Sequence, residues 1–256
     1  MAAVPESPNA WPRFSNAPIK EAILDIRVEL PHEIGLDQLL RFQDAIQGQY
    51  PHKRERVQFS AELHLEQQRE QQQSVQPSKK VDGYVFTSVN SKDIVQARLD
   101  GFTINRVQPY DAWPSFRDTG KRLWEHYLSI ATPTAVTRIA LRYINRLELP
   151  LPIKDFKEYL LTVPEIAPSL PQGLKTFFMR LEIPSEQHQA IAIITETMEA
   201  PVDGKVLPVI LDIDAIRESP FPPRSEEIWQ TFENLREFKN QIFFQSVTDK
   251  AKELFK

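Results

Sequence analysis

Three arginines recur at four-residue spacing within the segment Arg138–Glu148. Successive side chains of a β-strand point to opposite faces, so Arg138, Arg142 and Arg146 share one face and Leu141 lies on the other. A planar guanidinium can donate two hydrogen bonds at once to a phosphate or carboxylate. The spacing therefore predicts a strand with one apolar face and one face suited to an anionic partner.

Two carboxylates suggest a different chemistry for the same sheet. Asp212 and Asp214 share one face of a further predicted strand. Antiparallel barrels that hydrolyse triphosphates combine arginine rows with acidic residues that hold Mg²⁺. The chain lacks the Glu-x-Glu-x-Lys strand typical of such tunnels, and the charges in Asp25-x-Arg27-x-Glu29 come in a different order. Mg²⁺ is thus expected only under a hydrolase hypothesis.

Three interpretations of this charged face are open. The simplest is a solvated sheet face whose charges pair across neighbouring strands. The second is a surface that binds an anionic partner, such as nucleic acid, through Arg98 and the three arginines of the 138–148 segment. The third is metal-dependent hydrolysis of a nucleotide or polyphosphate.

The composition excludes several classes of function. The chain has 256 residues and a formal net charge of −4, which does not favour phosphate-neutralising nucleic-acid binding. It has seven glycines, and neither GxxxxGK[ST] nor GxGxxG occurs, which argues against the common nucleotide folds. The absence of cysteine excludes disulfides, thiol nucleophiles and cysteine-ligated metal sites.

The compartment is predicted from the same features. A cysteine-free chain fits a reducing cytoplasm. The first residues lack the basic start and apolar stretch of a signal peptide, and the apolar runs are too short for a membrane span. We therefore expect a cytoplasmic protein with no membrane partner.

Hydrophobic periodicity predicts a mixed α+β protein. Predicted strands are Glu21–Leu30, 56–66, Gly83–Asn90, Ile94–Val107, Thr137–Leu149, Lys175–Ile183, Gln189–Met198 and Leu207–Ile216. Predicted helices are Leu36–Tyr50, Ser115–Ile130, Lys154–Leu161, a long helix from Ser225 and a short one restarting at Thr248. The polar stretch Gln67–Lys80 is predicted to be a flexible hairpin loop.

The order of these elements suggests two similar halves. Residues 1–18 are predicted to form an extended N-terminal arm, followed by halves at 19–133 and 134–256. Each half is predicted as strand, helix, three strands, helix. The expected architecture is a mostly antiparallel sheet with helices on one face.

The last helix carries more apolar surface than one buried stripe requires. Beyond that stripe, Trp229, Phe244 and Phe255 widen the apolar face. Surplus apolar surface of this kind is typical of an oligomer or partner contact. Trp11, in the proline-rich arm, is expected to dock on its own domain or on a neighbouring chain.

Three motifs together carry a family resemblance. They are Pro18–Ala22, Leu141–Arg146 with Leu149-Pro150, and Asn240-x-x-Phe243 followed by Thr248-Asp249. In this order, and over nearly the whole chain, they resemble a sporadically distributed family of conserved hypothetical bacterial and archaeal proteins. The resemblance implies no established activity. It draws attention to a shared structural or binding role for Glu21, Arg142, Asn145, Arg146 and Asn240.

The resemblance also bears on function, because patchy distribution is common among mobile cassettes such as toxin–antitoxin and antiviral systems. The leading expectation is a non-enzymatic binding or regulatory protein in such a cassette. It would engage another protein, or a second copy of itself, through the last helix or the charged sheet face. The alternatives are the Mg²⁺-dependent hydrolase and a nucleic-acid-binding protein.

Overall fold

The computed structural model describes residues 11–61 and 77–256. Within these ranges, nine strands form one antiparallel sheet in the order β2-β3-β4-β5-β1-β6-β9-β8-β7. The strands are β1 (Ile19–Glu29), β2 (His52–Ala61), β3 (Pro77–Thr87), β4 (Asp93–Arg98), β5 (Gly101–Val107), β6 (Ala135–Pro150), β7 (Phe178–Ser185), β8 (Ala190–Met198) and β9 (Val206–Phe221). The helices are α1 (Leu36–Leu40), α2 (Phe42–Ile46), α3 (Trp113–Ala131), α4 (Glu227–Ser246) and α5 (Asp249–Glu253).

The centre of the sheet is the pairing of β1 with β6. Leu24 lies opposite Leu141, and both side chains are fully buried. From β1 the sheet continues outward through β5, β4, β3 and β2, and from β6 through β9, β8 and β7. The antiparallel α+β architecture predicted from the sequence is thereby confirmed.

The helices cover the apolar face of this sheet. A side chain at Gly120 of α3 would touch Leu24 of β1 and Ile104 of β5, so α3 packs directly on the first half of the sheet. Helix α4 packs on β6 and β9 of the second half. The charged residues that alternate with the core residues, such as Asp25 and Arg142, lie on the opposite face.

Several local predictions need correction. The expected single strand Ile94–Val107 is a hairpin of β4 and β5, because Leu99 and Asp100 form a tight turn between the paired residues Arg98 and Gly101. The expected helix Leu36–Tyr50 is split into α1 and α2, and Lys154–Leu161 contains only a 3₁₀ turn at Phe156–Glu158. The first half therefore has four strands after its helices, instead of three.

Other predictions fall partly outside the described residues. The end of the strand at 56–66, most of the loop Gln67–Lys80 and the first ten residues of the arm all lie there. The restart of a helix at Thr248 is confirmed, since its Oγ1 caps α5 by accepting a hydrogen bond from the Ala251 N–H at 3.2 Å. Among the described helices, none is long and apolar enough to cross a membrane.

The backbones of β3 and β4 approach so closely at Gly83 that this position requires a glycine. A Cβ added to Gly83 of β3 would lie 2.3 Å from the carbonyl oxygen of Ala97 on β4. Backbone atoms in a paired strand cannot move away cheaply. We expect Gly83→Ala to lower the free energy of unfolding by about 1–3 kcal/mol, the usual range for overpacking. Urea unfolding measures this change.

The matched control is Gly48→Ala, because a Cβ at Gly48 meets nothing within 4 Å. Its free energy of unfolding should stay within about 0.5 kcal/mol of the wild-type value. Equal unfolding midpoints for the two variants would contradict the close approach of β3 and β4.

Candidate functional site

A cavity of about 250 Å³ lies between the N-terminal segment, the start of α3, strand β6 and helix α4. We call it the aromatic cavity because seven aromatic side chains line it. Its lining residues are Trp11, Pro12, Arg13, Phe14, Ala17, Pro18, Ile19, Tyr110, Asp111, Ala112, Trp113, Pro114, Tyr143, Asn145, Arg236, Lys239, Asn240, Phe243 and Phe244.

Lys239 is the most unusual residue of the aromatic cavity. It occupies a core-facing position of α4 and is 8% exposed. Its Nζ donates a 2.5 Å hydrogen bond to Asn240 Oδ1 and lies 3.8 Å from the centre of the Tyr143 ring. Within the described ranges, no carboxylate oxygen lies within 4 Å of this ammonium group. A buried lysine without an acidic partner is rare in proteins.

The surroundings of Lys239 disfavour its charged form. Burial, followed by the positive charge of Arg236, lowers its pKa from 10.5 to about 7. The face of the Tyr143 ring attracts a cation and so acts in the opposite direction. Burial is the larger of the two causes of the lowered pKa. Lys239 therefore changes its charge near neutral pH.

Arg236 adds a second positive charge that is poorly compensated. Its nearest carboxylate is Glu233, at 4.0 Å. Glu233 is already engaged, since its Oε1 accepts hydrogen bonds from Trp113 Nε1 at 2.8 Å and Arg117 Nη1 at 2.7 Å. Asp111, the acidic residue of the lining, is held by Arg106 at 2.8 Å. The cavity thus has an excess of positive charge.

Two tyrosines supply neutral hydrogen-bonding groups. The hydroxyl oxygens of Tyr110 and Tyr143 lie 2.8 Å apart. Burial raises the pKa of Tyr110 to about 12 and the pKa of Tyr143 well above its usual value of 10. Both phenols are therefore neutral at physiological pH. One hydroxyl donates to the other, so one phenol proton of the pair remains that can be donated to an anion without adding negative charge.

The N-terminal segment closes one side of the cavity. Trp11 stacks on Phe244 with ring centres 4.9 Å apart, and its Nε1 donates to Glu237 at 2.8 Å. Phe14 packs edge-on against Phe255 at 5.5 Å. The N–H of Asn16 donates to the Phe255 carbonyl at 2.9 Å. Trp11 thus docks on its own chain, which is one of the two placements expected from the sequence.

The three sequence motifs meet at this cavity. Pro18 comes from the first motif, Asn145 from the second, and Asn240 and Phe243 from the third. Asn145 is 2% exposed and donates to the Leu211 carbonyl at 3.0 Å, so its amide is fixed on β6. Residues that carried the family resemblance in separate parts of the chain therefore share one site.

The arginines predicted to bind an anion lie elsewhere, on the opposite face of the sheet. Each has a carboxylate partner. Arg98 pairs with Asp25 at 2.8 Å, Arg138 with Asp25 at 3.0 Å, Arg142 with Asp212 at 2.5 and 2.8 Å, and Arg146 with Glu199 at 2.8 Å. The charges thus pair across neighbouring strands, as the simplest interpretation expected, but Arg98 and Asp25 are buried and not solvated.

The predicted metal ligands lie in the same ion-pair network. Both oxygens of Asp212 accept from Arg142, and Asp214 lies 3.6 Å from Arg138. Burial raises the pKa of Asp214, against the charges of Arg138 and Arg142. In the part of the chain that the structure describes, no group of three or more His, Cys, Asp or Glu side chains is placed to hold a metal ion.

The surplus aromatic residues of the C-terminal helices are mostly covered. Trp229 is 7% exposed and packs against Phe232, with ring centres 5.5 Å apart. Phe255 is 3% exposed beneath Phe14, and Phe244 is half-buried under Trp11. Much of the apolar surface predicted for a partner is therefore occupied by the N-terminal segment of the same chain.

Sequence reasoning missed Lys239, Arg236 and Tyr110. One signal was available in α4, where Phe232, Leu235 and Ile242 mark the buried stripe and Lys239 falls on the same stripe. A charged residue at a stripe position predicts either a buried charge or an unusual neighbour. The convergence of Tyr110 with α4 had no such signal, because it depends on tertiary packing.

Comparison with known proteins adds no family assignment. No protein-family model matches the chain, and no curated protein matches it. The family resemblance carried by the three motifs therefore stays a prediction. The function has to be inferred from the chemistry of the aromatic cavity itself.

Proposed function

We propose that this chain is a non-enzymatic binding protein whose ligand is a small organic anion with an aromatic or apolar body, held in the aromatic cavity. The observation that supports this most is the buried Lys239, which has Arg236 beside it and no carboxylate within reach among the described residues. A carboxylate or phosphate group is the chemical complement of two such cations.

The energetics favour an anion over a neutral ligand. A buried charge without a partner is destabilising by several kcal/mol in typical proteins, about 3–5 kcal/mol when a pair is broken. An anion that enters the cavity supplies the missing charge, so this destabilisation is relieved on binding. The aromatic walls, which include Trp113 and Phe243, can bury the apolar body of the ligand.

A regulatory role remains part of this proposal. A ligand in the cavity would touch both the N-terminal segment and α4, since both line it. Binding could therefore strengthen or loosen the stacking of Trp11 on Phe244. A partner protein that recognises this region would then sense the ligand, as the cassette role inferred from the resemblance requires.

The hydrolase and nucleic-acid alternatives have weaker support. Both would use Arg98, Arg138, Arg142 or Arg146, and each of these already has a carboxylate partner. Phosphate or Mg²⁺ would first have to separate ion pairs, such as the two hydrogen bonds from Arg142 to Asp212. The aromatic cavity requires no such separation.

We also propose that the two halves of the chain, 19–133 and 134–256, arose by duplication. Support comes from the order of strands outward from the central pair, which is β5-β4-β3 beside β1 and β9-β8-β7 beside β6. Strand β2 is then an addition to the first half. On this interpretation the aromatic cavity lies near the junction of the two units.

Binding of defined anions tests the proposed function. We expect indole-3-acetate or adenosine 5′-monophosphate to bind in a 1:1 ratio by isothermal titration calorimetry. Affinity should rise as pH falls from about 8.5 to 6, because Lys239 becomes charged as pH passes its pKa of about 7. Lys239→Met should weaken binding at least about tenfold, in line with loss of one charge-assisted hydrogen bond of roughly 1.5–3 kcal/mol.

Lys121→Met is the matched control, because Lys121 is 41% exposed on α3 and pairs with Glu226 at 2.8 Å. It should leave the affinity for either anion unchanged. Failure of both anions and of inorganic phosphate to bind the wild-type protein would refute the proposal. So would equal affinities for the wild-type and Lys239→Met proteins.

A further inference from the structure

Strand β8 carries a carboxyl group at a position where the core requires an apolar side chain. Ala192, Ile194 and Glu196 share the helix-covered face of β8. Glu196 is 1% exposed, and neither of its carboxyl oxygens has a hydrogen-bond partner among the described residues. A buried polar group left without a partner is destabilising, and more so when it is charged.

Glu196 is one of the residues that line a second cavity, of about 350 Å³. This cavity lies on the flank of α4 that faces away from the aromatic cavity, because its α4 residues fall about half a turn from Lys239 and Asn240. Glu196 is the one titratable side chain among the described residues that line it. Its lining also includes Leu181, Ile194, Gln241, Ile242 and Gln245.

We propose that this second cavity binds a primary alkylammonium group, with Glu196 as its counter-charge. An ammonium group donates three hydrogen bonds, so it can satisfy the unpartnered carboxylate and still donate to other acceptors. Two glutamines of the lining carry side-chain carbonyls that can accept, namely Gln245 and Gln241, whose Oε1 also lies 3.4 Å from His188 Nε2. Leu181, Ile194 and Ile242 supply apolar walls for the methylene chain of the amine.

The carboxyl oxygens of Glu196 are covered by neighbouring side chains, so the proposed site has to open when the amine binds. Its oxygens are almost fully covered, so the amine must displace a neighbouring side chain to reach them. Long glutamine side chains rotate at low cost compared with backbone. Burial also raises the pKa of Glu196 to about 7, so the empty site holds a largely neutral carboxyl group below that pH. Binding of a cation favours the ionised form and therefore releases a proton.

Calorimetry with 1,5-diaminopentane and with Nα-acetyl-lysine amide tests this site. We expect at least one of them to bind wild-type protein in a 1:1 ratio, while pentan-1-ol does not bind. At pH 6, the heat should depend on the ionisation enthalpy of the buffer, which reports the released proton. Glu196→Gln, which keeps the shape of the side chain, should weaken binding at least tenfold.

Comparing the binding of the two amines distinguishes two possible sources of the ammonium group. Binding of the diamine alone indicates a free aliphatic amine, and binding of the lysine amide indicates a lysine side chain of another molecule. The inference is overturned if neither amine binds, if binding at pH 6 releases no proton, or if Glu196→Gln binds as tightly as the wild-type protein. None of these results bears on the anions proposed for the aromatic cavity, because the two cavities lie on different flanks of α4.

Discussion

Replacement of Arg98 by methionine is expected to lower the free energy of unfolding by about 3–5 kcal/mol at pH 7, the range for breaking a buried ion pair. Arg98 is 3% exposed and donates to Asp25 at 2.8 Å and to Thr103 at 2.7 Å. Methionine fills a similar volume but leaves Asp25 buried beside fewer positive charges. The loss is therefore electrostatic, and urea unfolding at pH 7 measures it.

The pH dependence of this loss identifies its cause. Burial alone would raise the pKa of Asp25, but the charge of Arg98 and the hydrogen bond from Thr103 outweigh burial and hold the pKa below its ordinary value of 3.8. In the wild-type protein this stabilisation is present above the unfolded pKa and is lost as pH falls through the lower folded pKa. Without Arg98 the folded pKa of Asp25 rises, so the deficit of the variant should shrink between pH 7 and pH 4.

Arg180→Met serves as the control for Arg98→Met. Arg180 also pairs with a carboxylate, Glu182 at 2.8 Å, but its side chain is 48% exposed at the edge of the sheet. An exposed pair contributes about 0–1 kcal/mol. A loss for Arg98→Met as small as that for Arg180→Met, or a loss that does not change with pH, would show that the buried pair does not stabilise the sheet.

The charged face of the sheet could be predicted from the sequence, but its ion pairs could not. Alternation along β1 and β6 placed their charged residues on one face, and the structure confirms that placement. Such a pattern depends only on the two-residue period of a strand. It does not reveal which charges lie opposite one another, because the register of β1 with β5 and β6 is set by long-range pairing.

A turn that was not recognised in the sequence accounts for the main error in the predicted strands, which merged β4 and β5 into one. Asp100-Gly101 is a tight-turn dipeptide, yet the apolar residues on both sides continue the alternation and suggest a single strand. Gly101 has a φ of +158°, and a Cβ there would lie 2.3 Å from the Ile26 carbonyl oxygen on β1. The glycine is required by the close approach of β1, which the local sequence does not contain.

The two most unusual ionisable residues break a pattern instead of forming one. Lys239 interrupts the apolar stripe of α4, and Glu196 interrupts the apolar alternation of β8. Motif searches do not find such residues, since each is a single departure from periodicity. Buried ionisable groups with strongly shifted pKa values are concentrated at functional sites, although ion-pair networks also produce them. Neither residue has an ion-pair partner among the described side chains, which favours the functional interpretation.

Lys239 should also leave a signature in the stability of the empty protein. Its folded pKa of about 7 lies below the unfolded value of 10.5, so the unfolded state binds more protons between these pH values. Stability must then rise with pH across that window. At about 1.4 kcal/mol per pKa unit, the difference between the folded and unfolded pKa values corresponds to roughly 5 kcal/mol. Below pH 7 the folded protein is destabilised by this full amount.

Lys239→Met should therefore stabilise the empty protein by several kcal/mol at pH 6 and by progressively less toward pH 10. Chemical unfolding of both proteins from pH 6 to pH 10 measures the difference, in which the other titrating groups cancel. The loss of the hydrogen bond to Asn240 reduces the gain at every pH by a similar amount, so the slope is the diagnostic quantity. A gain independent of pH would mean that Lys239 keeps its charge throughout. The anion site would then not depend on pH near neutrality, because its central cation would be present at every pH tested.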